Sequence, residues 1–493
     1  MKNYFSLLIL TGALFAQNVV TESDSLNPIS LEGVEVYSSL RQVNEGDLAA
    51  SAIIFNDELE VMEGQHFSDL LLRVPNLNYA GGTSRPRFFQ IRGEGSVSRY
   101  ADQGPPSPYV GLVLDGMDLS ELGMITPLFD MQQVEVLMGV QTSLFGASAS
   151  SGLINFKTND PTDEKGGYVM TQLGSYNTYT NGLVYNLPFE NGWKVRLVGH
   201  SNVSDGFKEN VALGNYASAD RNETSLRVKM LKEGDLITQK YTIISSDFDN
   251  GYDNWAPDNN TDNITYSDNP GKDSQKSQIL IADYRYDLGE QIVDFNVGMS
   301  SNETLHSYDS DWGNYNFWLN WDGDDHHDDH GVEHGDDHDE DHDEDHDEDH
   351  DEDHDDHGDD HDDHGDDHDD HGGHDGHAEH GQKAHAPNWN YSLSVNYDFT
   401  EDSSLMVEIA GKDAFIFDSM HDEYASEPYH LLNAYYSHTF NKVKLGIFAK
   451  NILDESYADR GFIFGLEPPH FHEELYKSFG PPREIGMSLT YSF

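Results

Sequence analysis

The residues best suited to chemistry in this chain form one run. Positions 339 to 354 read DEDHDEDHDEDHDEDH, and the pattern continues on both sides as His326, His327, His330, His334, His338, His342, His346, His350, His354, His357, His361, His364, His368, His371, His374, His377 and His380. Neutral imidazole set among carboxylates suits borderline divalent ions such as Zn(II), Ni(II), Co(II) and Cu(II), and a site without thiolate is poor for Cu(I) or iron–sulfur clusters. Acidic residues packed this densely repel one another, so the metal-free run is predicted to stay disordered. Many degenerate sites on a flexible coil amount to a capture surface, which raises the local ion concentration rather than building one tight coordination sphere. A solvated acidic tract is the plainer alternative, but it would need no histidine at every third or fourth position. Metal binding requires the neutral ring, so affinity is expected to fall as pH drops through about 6.5.

Smaller candidates lie elsewhere. His470 and His472 in PPHFHEE stand beside Glu473 and Glu474, and His421 stands beside Asp422 and Glu423. The stretch DFDNGYDN, from Asp247 to Asn254, has oxygen ligands around Gly251 in the manner of a calcium loop. No nucleophile elbow, phosphate loop or paired catalytic motif appears, so an enzyme is not expected and no prosthetic group is implied; Zn(II) or a similar divalent ion is the expected ligand or cargo.

These residues need elements to position them. Residues 322 to 387 hold 18 of the 26 histidines and 32 acidic residues against one lysine, which is half of the net charge of −62. That balance argues against nucleic acid as a partner. Residues 1–16 open with Lys2, run apolar from Tyr4 to Phe15 and reach Ala16, the pattern of a secretory signal. No later stretch supplies the roughly 18 apolar residues of a membrane helix. Strands alternate instead: in MSLTYSF, Met487, Leu489, Tyr491 and Phe493 oppose Ser488, Thr490 and Ser492. NWNYSLSVNYDF and KVKLGIFAK repeat the pattern, and with aromatic strand ends, long polar loops and a C-terminal Phe493 they predict a transmembrane antiparallel β-barrel. Phe493 would meet the outer-membrane assembly machinery, and the apolar faces would meet lipid.

Residues 50–165 read as a mixed α/β segment after a linker at 17–49. VEVLMGVQTSLFGASASSGLINFKTNDPT at 134 to 162 resembles the end of the plug domain of TonB-dependent outer-membrane receptors, and LLLRVPNLNY, FFQIRGEG and YVGLVLDG resemble earlier plug segments in the same order. KNILDESYADRGFIFG and FGPPREIGMSLTYSF resemble the closing strands of that family. Met138 stands where the family usually has Arg, and Val140 where it usually has Pro. The resemblance implies an N-terminal plug inside a barrel at 166–493, a Gram-negative-type outer membrane, and a TonB partner that pulls on a short strand. LEGVEV, comprising Leu31, Glu32, Gly33, Val34, Glu35 and Val36, is the candidate strand, able to pair edge to edge with TonB; it also reads as the first strand of the plug.

Seven strands are expected before the run, starting near Gly167, Thr178, Trp193, Asn222, Leu236, Lys276 and Gln291. Five are expected after it, near Trp389, Ser403, Tyr429, Lys442 and Pro482. Short turns face the periplasm and long loops face outward in such barrels, so parity puts the run in an extracellular loop. Twelve strands are far fewer than the 22 or so of plugged transporters, which implies a shortened barrel. Two functions follow: an importer of a divalent metal, zinc favoured, or of a ferric siderophore or other chelate; or a surface protein that binds metal and transports nothing.

Overall fold

A computed structural model describes residues 35–36, 43–44, 51–55, 59, 66–71, 73–80, 88–95, 109–120, 122–140 and 149–493, except 215–217, 253–254, 290, 322–383, 419–420 and 468–470. The signal, Leu31 to Val34, the seventeen histidines from His326 to His380 and His470 lie outside the described residues. Glu35 and Val36 pair antiparallel with Asn44 and Val43.

The plug is built on a sheet in the order Ser51–Phe55, Met131–Met138, Gly152–Thr158, Val110–Leu114 and Met117–Asp118. Gly152–Thr158 runs parallel to Val110–Leu114 and antiparallel to Met131–Met138. Runs such as VGLVL, buried at every position, can be apolar throughout because both faces of the strand are covered. Asp115 and Gly116 make the two-residue turn into Met117–Asp118, with φ of +45° and +85°. Two positive φ values suit the twist of a hairpin, which is why Asp-Gly stands there. The core of the plug gathers Phe67, Leu70, Leu77, Phe89, Leu112, Ile125, Val134 and Ile154, and it continues into Ile244, Ile279, Ile281, Met406, Tyr435 and Phe448 of the wall.

The wall is one antiparallel sheet of twelve strands. They are β1 (Gly166–Gly174), β2 (Thr178–Pro188), β3 (Trp193–Ser204), β4 (Arg221–Lys232), β5 (Ile237–Gly251), β6 (Lys272–Asp287) and β7 (Ile292–Ser307), then β8 (Asn390–Thr400), β9 (Ser403–Lys412), β10 (Tyr429–Phe440), β11 (Val443–Lys450) and β12 (Glu484–Ser492). The count agrees with the expectation from alternation, and the starting points lie within two residues of it except for β6, which begins at Lys272 rather than near Lys276. Each strand pairs with its neighbour in sequence except β7 with β8, and β1 pairs with β12, so the sheet order runs from β7 down to β1 and from β12 down to β8. Outward rows are apolar, as in Leu393, Val395, Tyr397 and Phe399, or Met487, Leu489 and Tyr491, all exposed. Inward rows carry the polar and charged groups that meet the plug. No helix among the described residues is long and apolar enough to cross a membrane, which says nothing against strands.

At the long-loop end, short hairpins at Ile416–Asp418 with His421–Ala425 and at Ala458–Phe464 with Glu474–Phe479 stand above the wall. Trp255 and Trp312 stack at 5.6 Å and pack with Leu466 and Tyr476, joining connections from both halves of the chain. Asn259 completes the joint, donating to the Leu475 carbonyl at 2.8 Å and accepting from the Lys477 amide at 2.6 Å.

Candidate ligand vestibule and the clamp beneath it

The plug is held by ions. Asp130 in the plug, buried and with φ of +59°, receives the Arg196 guanidinium of β3 and that of Arg227 of β4 at 2.7 Å. Arg227 also donates to the Asp130 carbonyl oxygen at 2.8 Å. Burial alone would raise the Asp130 carboxyl, and the two guanidiniums outweigh it and hold the group down. Asp115 accepts from the Thr158 amide at 3.0 Å and its hydroxyl at 2.5 Å, with Lys229 of β4 at 3.3 Å. Burial again opposes ionisation there, while Lys229, Lys157 and the Thr158 bonds hold Asp115 well below the usual carboxylate range. Asp160, in the connection to β1, bridges Lys229 at 2.8 Å and Lys240 of β5 at 2.6 Å; these two cations overcome its burial and bring it to about 2. On the other half of the wall, Arg73 of the plug meets Glu408 of β9 at 2.8 Å, and Asp69 meets Lys450 of β11 at 2.6 Å. A buried charge without its partner is very costly, so these pairs fix the plug's position more than they add net stability.

Above the clamp lies a cavity of about 220 Å³. The plug lines it from below with His66, Ser68, Asp69, Asn78 and Tyr79, and the wall lines it with the outward ends of β1 to β4 and β9 to β12. His66 begins a 3-10 turn at Phe67–Leu70: its Nδ1 accepts from the Ser68 amide at 3.2 Å, and its own amide donates to Asp69 at 3.1 Å. The same Asp69 reaches Lys450, so the turn is locked to the wall. Lys412 donates to Asn78 Oδ1 at 2.5 Å, and the Arg460 guanidinium lies over the Tyr79 ring at 5.1 Å while pairing with Asp459 at 3.1 Å.

Several lining groups have no such partner. The hydroxyls of Tyr79, Tyr176, Tyr429 and Tyr457 make no hydrogen bond among the described residues, and Arg221, at the start of β4, makes no ion pair there. Burial pushes the phenols of Tyr79, Tyr176 and Tyr457 up, with the opposing effect of Arg460 on Tyr79 too small to reverse it. They are therefore protonated donors at neutral pH. Arg221 and Lys412 lack a carboxylate partner, against the single such carboxylate of Glu484, so the unpaired lining is cationic. A ligand with several oxygen acceptors and negative charge is what this lining complements.

The sequence-predicted metal residues fare differently. Among the described residues no group of three or more His, Cys, Asp and Glu side chains is arranged to hold an ion. His421 does lie between Asp418, at 3.8 Å, and Glu473, at 3.6 Å, so the structure brings two candidate segments together at the rim. His472 is exposed nearby in sequence to Glu473. The calcium-loop reading of Asp247 to Asn254 is corrected: Asp247 to Gly251 is the end of β5, where Asp247 pairs with Lys276 at 3.5 Å and Asp249 with Lys272 at 2.7 Å, and Asn250 lies buried on the opposite face. Strand alternation divides the Asp247 and Asp249 oxygens from that of Asn250, so these three cannot surround one ion; Asp253 and Asn254 lie outside the described residues. Of the family positions, Met138 packs against the plug core and Val140 is 70% exposed.

Sequence reasoning missed the vestibule and the clamp. The signals were inward-facing Arg196, Arg227, Lys229 and Lys240 on strands of barrel type, and Asp115 in YVGLVLDG; none announces its partner.

One described histidine belongs to the run's trailing end. His385 is buried between Phe415 and Phe417, at 5.5 and 5.9 Å, and its carbonyl accepts from Asn78 of the vestibule floor at 2.8 Å. Burial, helped by Lys412, lowers its imidazole to about 4 and keeps it neutral.

Residues 43–153 match the family model described as the TonB-dependent Receptor Plug Domain. The chain is 29% identical over 187 residues to a pesticin receptor of Yersinia enterocolitica, a match covering 38% of this chain and 27% of that protein. It is 24% identical over 303 residues to a vitamin B12 transporter of Vibrio vulnificus, covering 56% of this chain and 44% of that one. The matches thus span from about a quarter to under half of these relatives' length. Among solved structures, the ferric yersiniabactin uptake receptor of Yersinia pestis aligns with a TM-score of 0.59 and 12% identity, over 90% of this chain and 98% of that one. At that identity the likeness speaks to fold, and together with the plug match it gives this chain the plug-and-barrel fold of TonB-dependent receptors.

Proposed function

We propose that the chain is a TonB-dependent outer-membrane receptor that takes an oxygen-rich, anionic metal chelate into the vestibule. The observation that carries this reading is the set of protonated phenols at Tyr79, Tyr176 and Tyr457 facing one cavity with the unpaired Arg221. Phenols and guanidinium donate to a chelate's carboxylate, phenolate or hydroxamate oxygens and bind a bare cation poorly. The cavity is small against the roughly 300–1,000 Å³ of drug-sized sites, so it seats one lobe of a chelate and leaves the rest in the open mouth. In this reading Leu31 to Val36 supplies the strand on which TonB pulls, and the chain resides in an outer membrane.

A second reading is favoured by His385. Its tether puts the trailing end of the His/Asp run against the vestibule floor, where ions collected by 322–383, zinc foremost, would be released. The run then concentrates metal above the mouth, and a chain that only buffers metal at the surface is the limiting case.

Titration of the purified full chain, followed by tryptophan emission, separates the readings. Ferric complexes of a phenolate–carboxylate chelator and Zn(II) alone are the probes, with Arg221→Ala and a chain lacking 322–383 as variants. The first reading expects chelate binding that Arg221→Ala weakens and the deletion spares. Zinc binding that needs 322–383, with no chelate bound by any variant, overturns it in favour of the second. In cells, Val34→Pro abolishes accumulation if TonB drives uptake, and leaves it unchanged if the chain merely holds metal.

A further inference from the structure

The wall is not closed among the described residues. Among the described residues β7 and β8 each pair on one side only, and they do not pair with each other. Their chemistry is nevertheless that of strands with neighbours on both sides. Outward stand Val293, Phe295, Val297 and Met299 on β7 and Leu393, Val395, Tyr397 and Phe399 on β8, each at least 41% exposed. Inward stand Asn296, Ser300 and Asn302 on β7 and Ser394, Asn396 and Asp398 on β8, so the lipid-facing and lumen-facing rows run undiminished to the last strand. In a bilayer every unpaired backbone group costs several kcal/mol, and a spanning sheet with open edges does not persist.

Three ways of covering the edges fail. Residues 322–383, between the two strands, contain Val332 and Ala378 as their only hydrophobic residues and cannot supply membrane strands. The edges cannot meet each other while the plug stands between them: a Cβ on Gly298 of β7 would touch Met117 Sδ at 2.9 Å, and Asn390 of β8 donates to Asn76 of the plug at 2.8 Å. A second copy would give 24 strands and two plugs, in a lumen only about 1.2-fold larger in section than the 22-stranded barrel that holds one.

We infer that a different polypeptide completes the wall, bringing an even run of about ten membrane β-strands that pair with β7 at one end and β8 at the other. Evenness follows from direction, since β7 runs toward the long-loop end and β8 returns from it. The number follows from the plug, which needs the lumen of a barrel of about 22 strands. This rests on the outer-membrane reading and is independent of the cargo.

The chain has no cysteine, so single labels are clean. Ser300→Cys on β7 and Ser394→Cys on β8, both exposed, are coupled to a maleimide–benzophenone in outer membranes of the organism that carries the chain, irradiated, and the adducts mapped by mass spectrometry. The expected result is that both positions cross-link to one and the same second polypeptide, at two strands separated by an even series of alternating apolar and polar strands. Adducts only between copies of this chain, a 300-to-394 disulfide in the double variant, different polypeptides at the two sites, or full labelling of both cysteines by a membrane-impermeant maleimide with no adduct would each overturn it. A chain absent from the outer membrane overturns the receptor reading as well, whereas those four outcomes leave that reading standing.

Discussion

The clamp and the vestibule use the same residue types in opposite ways. Below, Arg196, Arg227, Lys229 and Lys240 each meet a carboxylate, and Asp130 and Asp115 are sealed from water. Above, Arg221 and four phenols line the cavity with no ion pair or hydrogen bond among the described residues to satisfy the guanidinium and the hydroxyls. Burial with partners makes a joint; burial without them makes a receptor, because the cost of the missing bond is returned when a ligand supplies it. The two layers share strands: Arg221 and Arg227 stand on β4, six residues apart, with opposite duties.

The sharpest way to break this comparison is to remove a clamp carboxylate. Asp130→Ala leaves two buried guanidiniums unpaired and should cost about 3–5 kcal/mol of plug docking, seen as loss of protease protection of the plug while the wall stays folded. Arg221→Ala should leave docking unchanged and weaken binding of the anionic chelate by about 10- to 150-fold, the worth of a charge-assisted hydrogen bond. Acid separates the layers by pH. Asp160 is held at about 2 from an ordinary 3.8, so its contribution to docking is complete above 3.8 and is lost as pH falls toward 2. Protease protection should therefore be flat from pH 8 down to about 4 and fall below it. The smallest effect is expected of Tyr79→Phe, which removes one hydroxyl and should weaken chelate binding by about 2- to 12-fold with docking intact. A Tyr79→Phe change that loosened the plug as Asp130→Ala does would erase the distinction between joint and receptor.

Much of the wall was legible because a strand in a bilayer must alternate with period two, a local property that any seven residues, such as MSLTYSF, display. The plug was legible through the order of its segments. The clamp was not: Asp130 and Arg196 are 66 positions apart, and Asp115 and Lys229 come from the plug and from β4, so their pairing depends on how deep the plug sits. The vestibule was hidden for a related reason, since Tyr79, Arg221, Lys412 and Tyr457 come from four distant segments and share no motif. The feature most visible in the sequence, the His/Asp run, drew attention toward a bare cation, while the described cavity is lined by donors. His385 connects the two, and nothing in the word DEDH foretold that the histidine nearest the wall would be a buried, neutral one.

The cavity draws on β1 to β4 and β9 to β12 and takes nothing from β5, β6, β7 or β8. Those eight strands flank the seam where β1 meets β12, on the far side of the circumference from the opening. Among the described residues the molecule is in effect a cutaway: the sector that lines the cavity is whole, and the strands beside the opening line none of it. Changes in β5 to β8 would therefore leave the lining of this cavity untouched, which makes those far hairpins the interchangeable parts of this architecture.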